Sequence, residues 1–403
     1  MLAGRRSSVL AGLTLVVAAL ALGACGADGQ GGSASAGDAV GPPEVGPPGL
    51  YLVGDGLYGV PGRARVQLAT HAWAPFSAGL SPVGVASADG RYVAYNSWRE
   101  LRDTDPAISW EDQGIKAGDG LAVPSLHVYD LEAGHDSVLQ DGGYSIAWRS
   151  DGTLAYVKGA DPVYRAWVRY VGDVFVQPSL GAPAERWTTE PANYTVVAWA
   201  GERLLVYRIT EGEHIDTLVL DGPGRVRVLA RGQTVVAVSP DGSQVFVEQG
   251  PAIGRPIVRV LNIADGTEAA SLDLSRVDPA VGYVRYGGDW SSDSVVATVA
   301  AGLGVFHVEP NAVSLEKVIR LDSAVFPAGA ENPQFTDDEG GRIVGQAGGV
   351  SGQDGKPIMV FAVCDLAAAG CQPAIPAVAA KAIGRWPAWR SLVYNPSCLK
   401  GGP

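Results

Sequence analysis

A short sequence unit recurs seven times along this chain and restricts the fold more than any other feature. Each copy is an apolar run, often with a Trp, followed by an acidic turn that is often Asp-Gly. The copies follow one another at intervals of about 40–60 residues, which is typical of one four-stranded propeller blade. They occupy residues 85–90, 147–152, 198–202, 237–242, 289–294, 334–338 and 388–391.

The segments between the copies are typical of short antiparallel strands. After most acidic turns a further apolar run follows at once, as at 92–95, 154–157 and 245–247. Asp-Gly tolerates the positive φ angles that tight turns between antiparallel strands require. Residues 126–131 and 137–139 are then the third and fourth strands of one unit. Four strands in each of seven units predict an all-β, seven-bladed β-propeller of four-stranded antiparallel blades.

Composition agrees with this fold and excludes several others. The chain has 54 Gly and 27 Pro among 403 residues, too many helix-breaking residues for a helical bundle or a coiled coil. Hydrophobic residues make up 47% and charged residues 18%, so most of the chain can bury a core and is not intrinsically disordered. The formal charge of −12 argues against binding to the phosphates of nucleic acid.

The two ends of the folded region complete each other. Residues 50–53, 57–60 and 66–68 are apolar strands without a preceding copy of the unit. Residues 385–389 are the apolar strand of a last copy, with almost no chain left to finish its blade. We expect these strands to share one blade, split three and one, or two and two if residues 392–394 also pair. Such a blade closes the ring and removes the unpaired edges of an open sheet.

One copy of the unit resembles a known repeat. Residues 239–242 (Ser-Pro-Asp-Gly) follow a short apolar strand and precede a second strand at 245–247. This pattern is similar to the TolB-like, WD-like propeller repeat, and residues 87–90 and 149–152 are partial copies of it. Other copies depart from the pattern, so the resemblance identifies no subfamily. It extends over about residues 50–395 and implies a fold that hosts many unrelated activities.

The first residues have the features of an export signal. A short positive segment, Arg5-Arg6, precedes an uncharged apolar run at 9–22 that is too short to span a bilayer as a helix. Residues 1–24 are therefore predicted to be a cleaved signal peptide. Residues 22–25 (Leu-Gly-Ala-Cys) resemble the bacterial lipobox, which implies that the Cys25 thiol carries a diacylglycerol. In the alternative, an ordinary signal peptide is cut at the same place and Cys25 has no role.

Residues 25–49 join this signal to the folded region at 50–403. They are rich in Gly and Pro and contain no aromatic residue, so they cannot bury enough apolar surface to become ordered. As a Gly-rich coil the segment spans roughly 25–30 Å. We expect lipid on Cys25 to hold a monomeric, cofactor-free propeller close to the outer face of the cytoplasmic membrane.

The spacing of the remaining cysteines predicts a disulfide. Cys364 and Cys371 flank six residues where other units turn from the third strand to the fourth. A cross-strand bridge between them suits an exported protein. Cys398 is then left over, or it competes for Cys364 if the C-terminal tail folds back.

One insertion, between Trp98 and Leu121, is a candidate partner-binding loop. Its acidic residues outnumber its basic ones, and the spacing at 103–106 does not match a calcium loop. Long loops on a rigid scaffold tend to carry function, whereas the alternative is a solvated loop without a partner. The candidate contact residues for a basic partner surface are Asp103, Asp105, Trp110, Glu111, Asp112 and Asp119.

Motifs for catalysis or cofactor binding are absent or incomplete. Residues 54–59 match the spacing of a dinucleotide fingerprint, but the following Val-Pro-Gly prevents the helix that this motif needs. None of the five histidines pairs at a metal-ligand spacing, and no Gly-x-Ser-x-Gly segment occurs. A Trp recurs at one place in the units, which indicates packing between blades rather than a glycan platform. These residues are Trp148, Trp199, Trp290 and Trp389.

The sequence therefore predicts a non-catalytic binding or scaffold protein that docks a protein or another component of the cell envelope. The alternative is an enzyme, or a propeller that binds a glycan or small ligand, with a site assembled in the central channel from several blades. The missing motifs lower the expectation of an enzyme but do not exclude a site of that kind.

Overall fold

The structure is a computed structural model, and strands predominate in the part of the chain that it describes. One 3-10 turn spans Leu274–Arg276. The described residues are 50–53, 56–60, 65–67, 84–100, 122–159, 171–210, 214–249, 256–278, 281–324, 326, 329–335, 341–350, 357–368, 370–374 and 391–394.

The described strands form seven four-stranded antiparallel sheets, numbered here I to VII in chain order. Sheets II to IV follow one another along the chain without crossovers. Sheet II contains β4 (Gly84–Ala86), β5 (Tyr92–Glu100), β6 (Ala122–Asp130) and β7 (His135–Asp141). Sheet III contains β8 (Gly143–Trp148), β9 (Leu154–Gly159), β10 (Gly172–Gln177) and β11 (Glu185–Arg186). Sheet IV contains β12 (Asn193–Ala200), β13 (Arg203–Ile209), β14 (Ile215–Leu220) and β15 (Val226–Arg231).

Sheets V to VII repeat the same order of strands. Sheet V contains β16 (Gln233–Val238), β17 (Gln244–Gln249), β18 (Ile257–Asn262) and β19 (Glu268–Asp273). Sheet VI contains β20 (Val284–Ser291), β21 (Ser294–Val299), β22 (Gly302–Glu309) and β23 (Ala312–Ile319). Sheet VII contains β24 (Ala330–Phe335), β25 (Arg342–Val350), β26 (Pro357–Asp365) and β27 (Gly370–Ala374).

Sheet I joins the two ends of the described chain. It contains β1 (Leu50–Val53), β2 (Gly56–Val60), β3 (Arg65–Gln67) and β28 (Ser391–Tyr394), in the order β28-β1-β2-β3. β28 pairs with β1 in antiparallel register, with Leu50 opposite Tyr394. The split is three and one, but the C-terminal strand lies downstream of the expected 385–389, which falls outside the described residues. β2 is a strand where a dinucleotide fingerprint would need a helix.

Contacts between the first strands place the sheets in a cyclic order. β28 contacts β4, and β4, β8, β12, β16, β20 and β24 then contact one another in turn. β25 of sheet VII contacts β28 of sheet I. Four-stranded antiparallel sheets whose first strands contact one another in sequence are the architecture of a β-propeller. Within the described ranges no helix is long and apolar enough to cross a bilayer.

The acidic turns have a structural role that explains their recurrence. The Ser239 hydroxyl donates to the Asp241 carboxylate at 2.6 Å, and this carboxylate accepts the Ser243 backbone N–H at 3.0 Å. These hydrogen bonds hold the pKa of Asp241 below its ordinary value. Gly242 has φ +69°, and a Cβ there would lie 2.6 Å from the Gly201 nitrogen in sheet IV. The Ser-x-Asp-Gly pattern thus encodes both the turn and its close approach to the preceding sheet.

The recurring tryptophans pack against the preceding sheet. Trp148 stacks on Tyr92 of sheet II at 6.3 Å between ring centroids. The Trp199 indole N–H donates to the Ala147 carbonyl of sheet III at 3.2 Å, and Trp290 meets Phe246 of sheet V edge-on. These three residues therefore fill junctions between sheets, as their recurrence predicts. Trp389 lies outside the described part of the chain.

Side chains also bond to the backbone across three junctions. The Ser145 hydroxyl accepts the Val196 N–H at 2.8 Å, and the Tyr207 hydroxyl accepts the Val235 N–H at 2.6 Å. The carboxylate of Asp289 accepts the Phe335 N–H at 3.0 Å. Such bonds satisfy backbone groups of a first strand that its own sheet leaves unpaired. They fix each sheet against the next.

Candidate binding groove

The predicted partner-binding loop falls largely outside the described residues. Asp103, Asp105, Trp110, Glu111, Asp112 and Asp119 all belong to the undescribed range 101–121. Glu100 at the end of β5 pairs with Ala122 at the start of β6, so the insertion connects the second and third strands of sheet II. Cys25 and Cys398 also lie outside the described ranges, and their predicted roles stay predictions.

The disulfide predicted in the last sheet is present. Cys364 of β26 lies opposite Cys371 of β27, and the two form a disulfide with their Cα atoms 4.0 Å apart. Cys364 is buried in the cluster between sheets VI and VII. The bridge thus ties the outer strand of sheet VII to its neighbour, on an apolar junction.

A groove of about 450 Å³ lies between sheets II and III. One wall is formed by Val128 of β6 and residues 137–140 of β7. The other wall is formed by Tyr156 of β9, Gln177 at the end of β10 and the connection at 180–184. The volume is in the range of sites that bind ligands, and the lining combines polar and apolar groups.

The groove is open because the outer strand of sheet III is short. β11 has only two residues, and the connection before it contains Pro178 and Pro183. Proline has no backbone N–H to donate to a ladder, so this segment cannot continue as a paired strand. Gly181, with φ +82°, turns the connection, and no atom lies within 4 Å of where its Cβ would be. Small residues and a missing strand therefore leave the junction unfilled.

Two nearly buried residues present polar groups to the groove. Tyr156 is 2% exposed and Gln177 is 5% exposed. Neither the Tyr156 hydroxyl nor the Gln177 amide is one of the described polar atoms that are sealed from solvent without a hydrogen-bond partner, so water in the groove can satisfy them. A ligand in the groove can take the place of that water.

The groove lining is uncharged. Asp136, Asp141 and Glu185 each lie one residue from the lining in sequence. Asp136 is directed into sheet II, where it accepts the Tyr95 hydroxyl proton at 2.6 Å and lies 3.4 Å from His127 Nδ1. Burial raises the pKa of the Tyr156 hydroxyl, which is therefore a neutral donor at physiological pH. The Ser137 hydroxyl donates to the Val128 carbonyl at 3.2 Å and offers its lone pairs to the groove.

This lining is suited to binding rather than to acid–base chemistry. It presents hydroxyl, amide and apolar groups, and none of its side chains is a carboxylate, imidazole, thiol or amine. Elsewhere in the described ranges, no three His, Cys, Asp or Glu side chains converge as a metal site would require. Hydrogen bonding and apolar contact are what this groove can provide.

One buried carboxylate lies apart from the groove, in sheet V. Glu248 is 4% exposed, and burial raises its pKa to about 7. One of its oxygens accepts the Thr234 hydroxyl at 3.3 Å, whereas Oε1 is buried without a hydrogen-bond partner. The hydrogen-bond partner of the Glu248 side chain is the neutral Thr234 hydroxyl. Among the residues described here, the site therefore lacks a second catalytic or metal-ligating group.

Comparison with known proteins shows distant likeness only. The chain matches no family model and no curated protein. TolB from Acinetobacter baumannii is 12% identical at a TM-score of 0.40, with 79% of this chain and 62% of TolB covered. The β-propeller domain of the trilobed protease from Pyrococcus furiosus is 11% identical at 0.49, with coverage of 79% and 88%. An acylaminoacyl peptidase from Pyrococcus horikoshii is 12% identical at 0.43, with coverage of 74% and 44%.

The chain thus spans less than two thirds of TolB and under half of the peptidase. At such low identity a likeness concerns the fold alone. The assignment as a β-propeller comes from the strand pairing and the cyclic order of the sheets.

The sequence did not reveal the groove. Tyr156 and Gln177 lie in different strands, and neither belongs to a motif. One local signal was available: residues 178–184 contain two Pro, one Gly and two Ala where other units have a fourth strand. That stretch indicates a missing outer strand, and hence an opening in the sheet that contains it.

Proposed function

We propose that this chain is a lipid-anchored, seven-bladed propeller at the outer face of the cytoplasmic membrane, and that it binds a cell-envelope partner in the groove between sheets II and III without catalysing a reaction. The groove supports the binding role most strongly, because its uncharged lining presents the Tyr156 hydroxyl and the Gln177 amide beside apolar side chains. The neutral lining supports the non-catalytic role.

The cyclic contacts between sheets support a closed ring of seven blades. Each sheet would be one blade, and sheet I would close the ring through the pairing of β28 with β1. Contact between β25 and β28 supports the last junction. A closed ring leaves no first strand without a neighbour.

The leader supports the anchor. Residues 22–25 carry the lipobox-like sequence, and a disulfide such as Cys364–Cys371 persists in oxidising compartments. Replacing Cys25 by Ser removes the thiol that would carry the lipid, so we expect the chain to leave the membrane fraction or to remain unprocessed. Fractionation of cells that express each form tests this. A Cys25→Ser chain that is processed and stays in the membrane would contradict the lipid anchor.

Site-specific photo-cross-linking tests the groove. A photoreactive amino acid in place of Val138, on the groove wall, should form adducts in intact cells. The same residue in place of Val228 should form few, because Val228 is exposed on the outer strand of sheet IV, away from the groove. Both positions carry a valine on an outer strand, so they differ mainly in their distance from the groove.

A groove-filling substitution gives the matched control. Ala182→Trp adds a large side chain to the groove wall and should suppress the adducts at position 138. Ala312→Trp makes the same change at an exposed position of β23 and should not. Equal adducts at positions 138 and 228, or adducts at 138 that Ala182→Trp leaves unchanged, would overturn the proposed binding role.

A further inference from the structure

The outer edge of sheet II combines an uncharged central segment with a position on the groove. β7 is seven residues long and ends the sheet, so one side of its backbone has no partner strand in the described chain. Its residues 137–140 (Ser-Val-Leu-Gln) are uncharged, and Val138 is 58% exposed. An exposed, uncharged edge strand is a template for pairing with another chain.

Most of the other outer strands carry features that prevent such pairing. β15 contains Arg227 and Arg231, and β23 contains Glu316 and Lys317. β27 contains a Pro and is held by the disulfide, and β11 has only two residues, both charged. Charges, prolines and short strands are the usual protection of sheet edges. β7 and β19 both have four uncharged central residues between terminal acids, and of these two strands β7 is the one that lines the groove.

The unprotected edge forms one wall of the groove. Residues 137–140 belong both to the free edge and to the lining, and the Gln177 amide and Tyr156 hydroxyl line the opposite wall. A strand entering here would meet backbone donors and acceptors of β7 on one side and the Gln177 amide and Tyr156 hydroxyl on the other. An extended peptide presents backbone N–H and C=O groups on both sides, so it can bond to both walls.

We infer that the groove binds an extended, uncharged polypeptide segment of a partner protein, which adds to sheet II as a fifth strand beside β7. The inference rests on the proposed binding role of the groove and names its ligand. The uncharged lining favours a segment without charged side chains, because a charge buried there would find no counter-charge. The main-chain hydrogen bonds supply affinity, and the uncharged lining of the groove selects side chains without charge.

A peptide selection tests the chemistry of this ligand. The probe is a phage-displayed library of random peptides of about ten residues, the order of length that one strand can pair with. The target is the full chain purified in detergent. We expect the enriched peptides to be poor in charged residues and to bind the groove. N-methylation of alternate peptide amides should abolish binding, because it removes the donors that pair with β7.

Substitutions of the edge strand give the matched controls. Val138→Lys places a charge in the centre of the edge and should weaken the selected peptides by roughly tenfold or more. Val138→Thr keeps an uncharged, β-branched residue and should retain binding. Val228→Lys introduces the same charge on the outer strand of sheet IV and should also retain it. Circular dichroism of each variant verifies that the sheets remain folded.

Several results would overturn the inference. Selected peptides that bind Val138→Lys and Val228→Lys equally, or that tolerate N-methylation on either set of amides, would exclude strand pairing with β7. A selection that enriches no peptide would also exclude a polypeptide ligand. Binding of cell-wall glycan fragments to the chain, if Ala182→Trp abolishes it, would show that the groove binds a glycan instead. In these cases the proposed function would still stand if Ala182→Trp suppresses the adducts at position 138. If Ala182→Trp leaves those adducts unchanged, both the inference and the proposed function would be wrong.

Discussion

The junction between sheets II and III and the junction between sheets V and VI use the same strands of the repeat, but the first contains a groove whereas aromatic rings pack together in the second. At the junction of sheets V and VI, Phe246 lies 6.5 Å from Trp290 and 5.2 Å from Phe306 between ring centroids. β23 extends for eight residues at the outer edge of that junction. At the junction of sheets II and III, the corresponding β11 has two residues and a groove remains.

This difference separates two roles within one repeat. The first strands contact one another at the described junctions, and tryptophans fill three of these junctions, so the first strands determine the cyclic order of the sheets. The outer strand and the turn before it determine whether the outer part of a junction is filled or open. A binding site can therefore arise in this fold by shortening one outer strand, while the inner contacts remain unchanged.

Removing an aromatic ring from the filled junction should have the largest effect on stability. Phe246 is fully buried, so Phe246→Ala should lower the free energy of unfolding by about 3–5 kcal/mol. Val138→Ala at the open junction should change it by less than about 0.5 kcal/mol, because Val138 is mostly exposed. Chemical denaturation of both variants measures the two values. Similar losses would contradict the distinction between a filled and an open junction.

Neutralising the buried carboxylate near the filled junction should stabilise the chain in a pH-dependent manner. Glu248 is two residues beyond Phe246 on β17 and so points to the same face. Its pKa is about 7 in the folded chain against 4.5 ordinarily, so folding favours the protonated form. The free energy of unfolding should therefore fall as the pH rises from 4.5 to 7, and should stay lowered above pH 7.

Glu248→Gln removes this titration. The variant should be more stable than the parent by up to about 3 kcal/mol above pH 7, and equally stable below pH 4.5. Melting temperatures of both chains across this pH range measure the difference. A constant difference at all pH values would show that the Glu248 carboxyl is not desolvated.

Replacing a small side chain by a larger one should lower the free energy of unfolding more at the filled junction than at the open one. The difference should be smaller than that between Phe246→Ala and Val138→Ala. Ala297 is fully buried in the cluster between sheets V and VI, so Ala297→Leu should cost about 2 kcal/mol through overpacking. Ala182→Leu places the same larger side chain in the groove and should cost less than about 0.5 kcal/mol. Equal costs in denaturation experiments would mean that the groove is as tightly packed as the filled junction.

The sequence predicted the parts of the fold that depend on local patterns. The Ser-x-Asp-Gly turns, the strands after them and the Cys364–Cys371 bridge follow from residues that are close together in the chain. It also predicted that both termini contribute to one sheet, because each end lacks part of a unit. Pairing by residues 392–394 was left open as an alternative, since the pairing of β28 with β1 depends on register between distant segments.

The groove could not be predicted because it is a property of two sheets. Tyr156 and Gln177 are ordinary strand residues in the sequence, and their shared position on the groove emerges only when sheets II and III are placed side by side. The same applies to the edge of β7: in the sequence Asp136 is a charge that could protect this edge, whereas in the structure its side chain is directed toward His127. Long-range contacts decide both features.

Amide hydrogen–deuterium exchange tests the central claim most directly. The full chain is compared before and after the partner is trapped by cross-linking at position 138. The account predicts slower exchange at residues 137–140 in the trapped complex and no change in β23, which closes the filled junction. Unchanged exchange at 137–140, or equal slowing in both outer strands, would contradict the claim that the open junction between sheets II and III is where this propeller binds its partner.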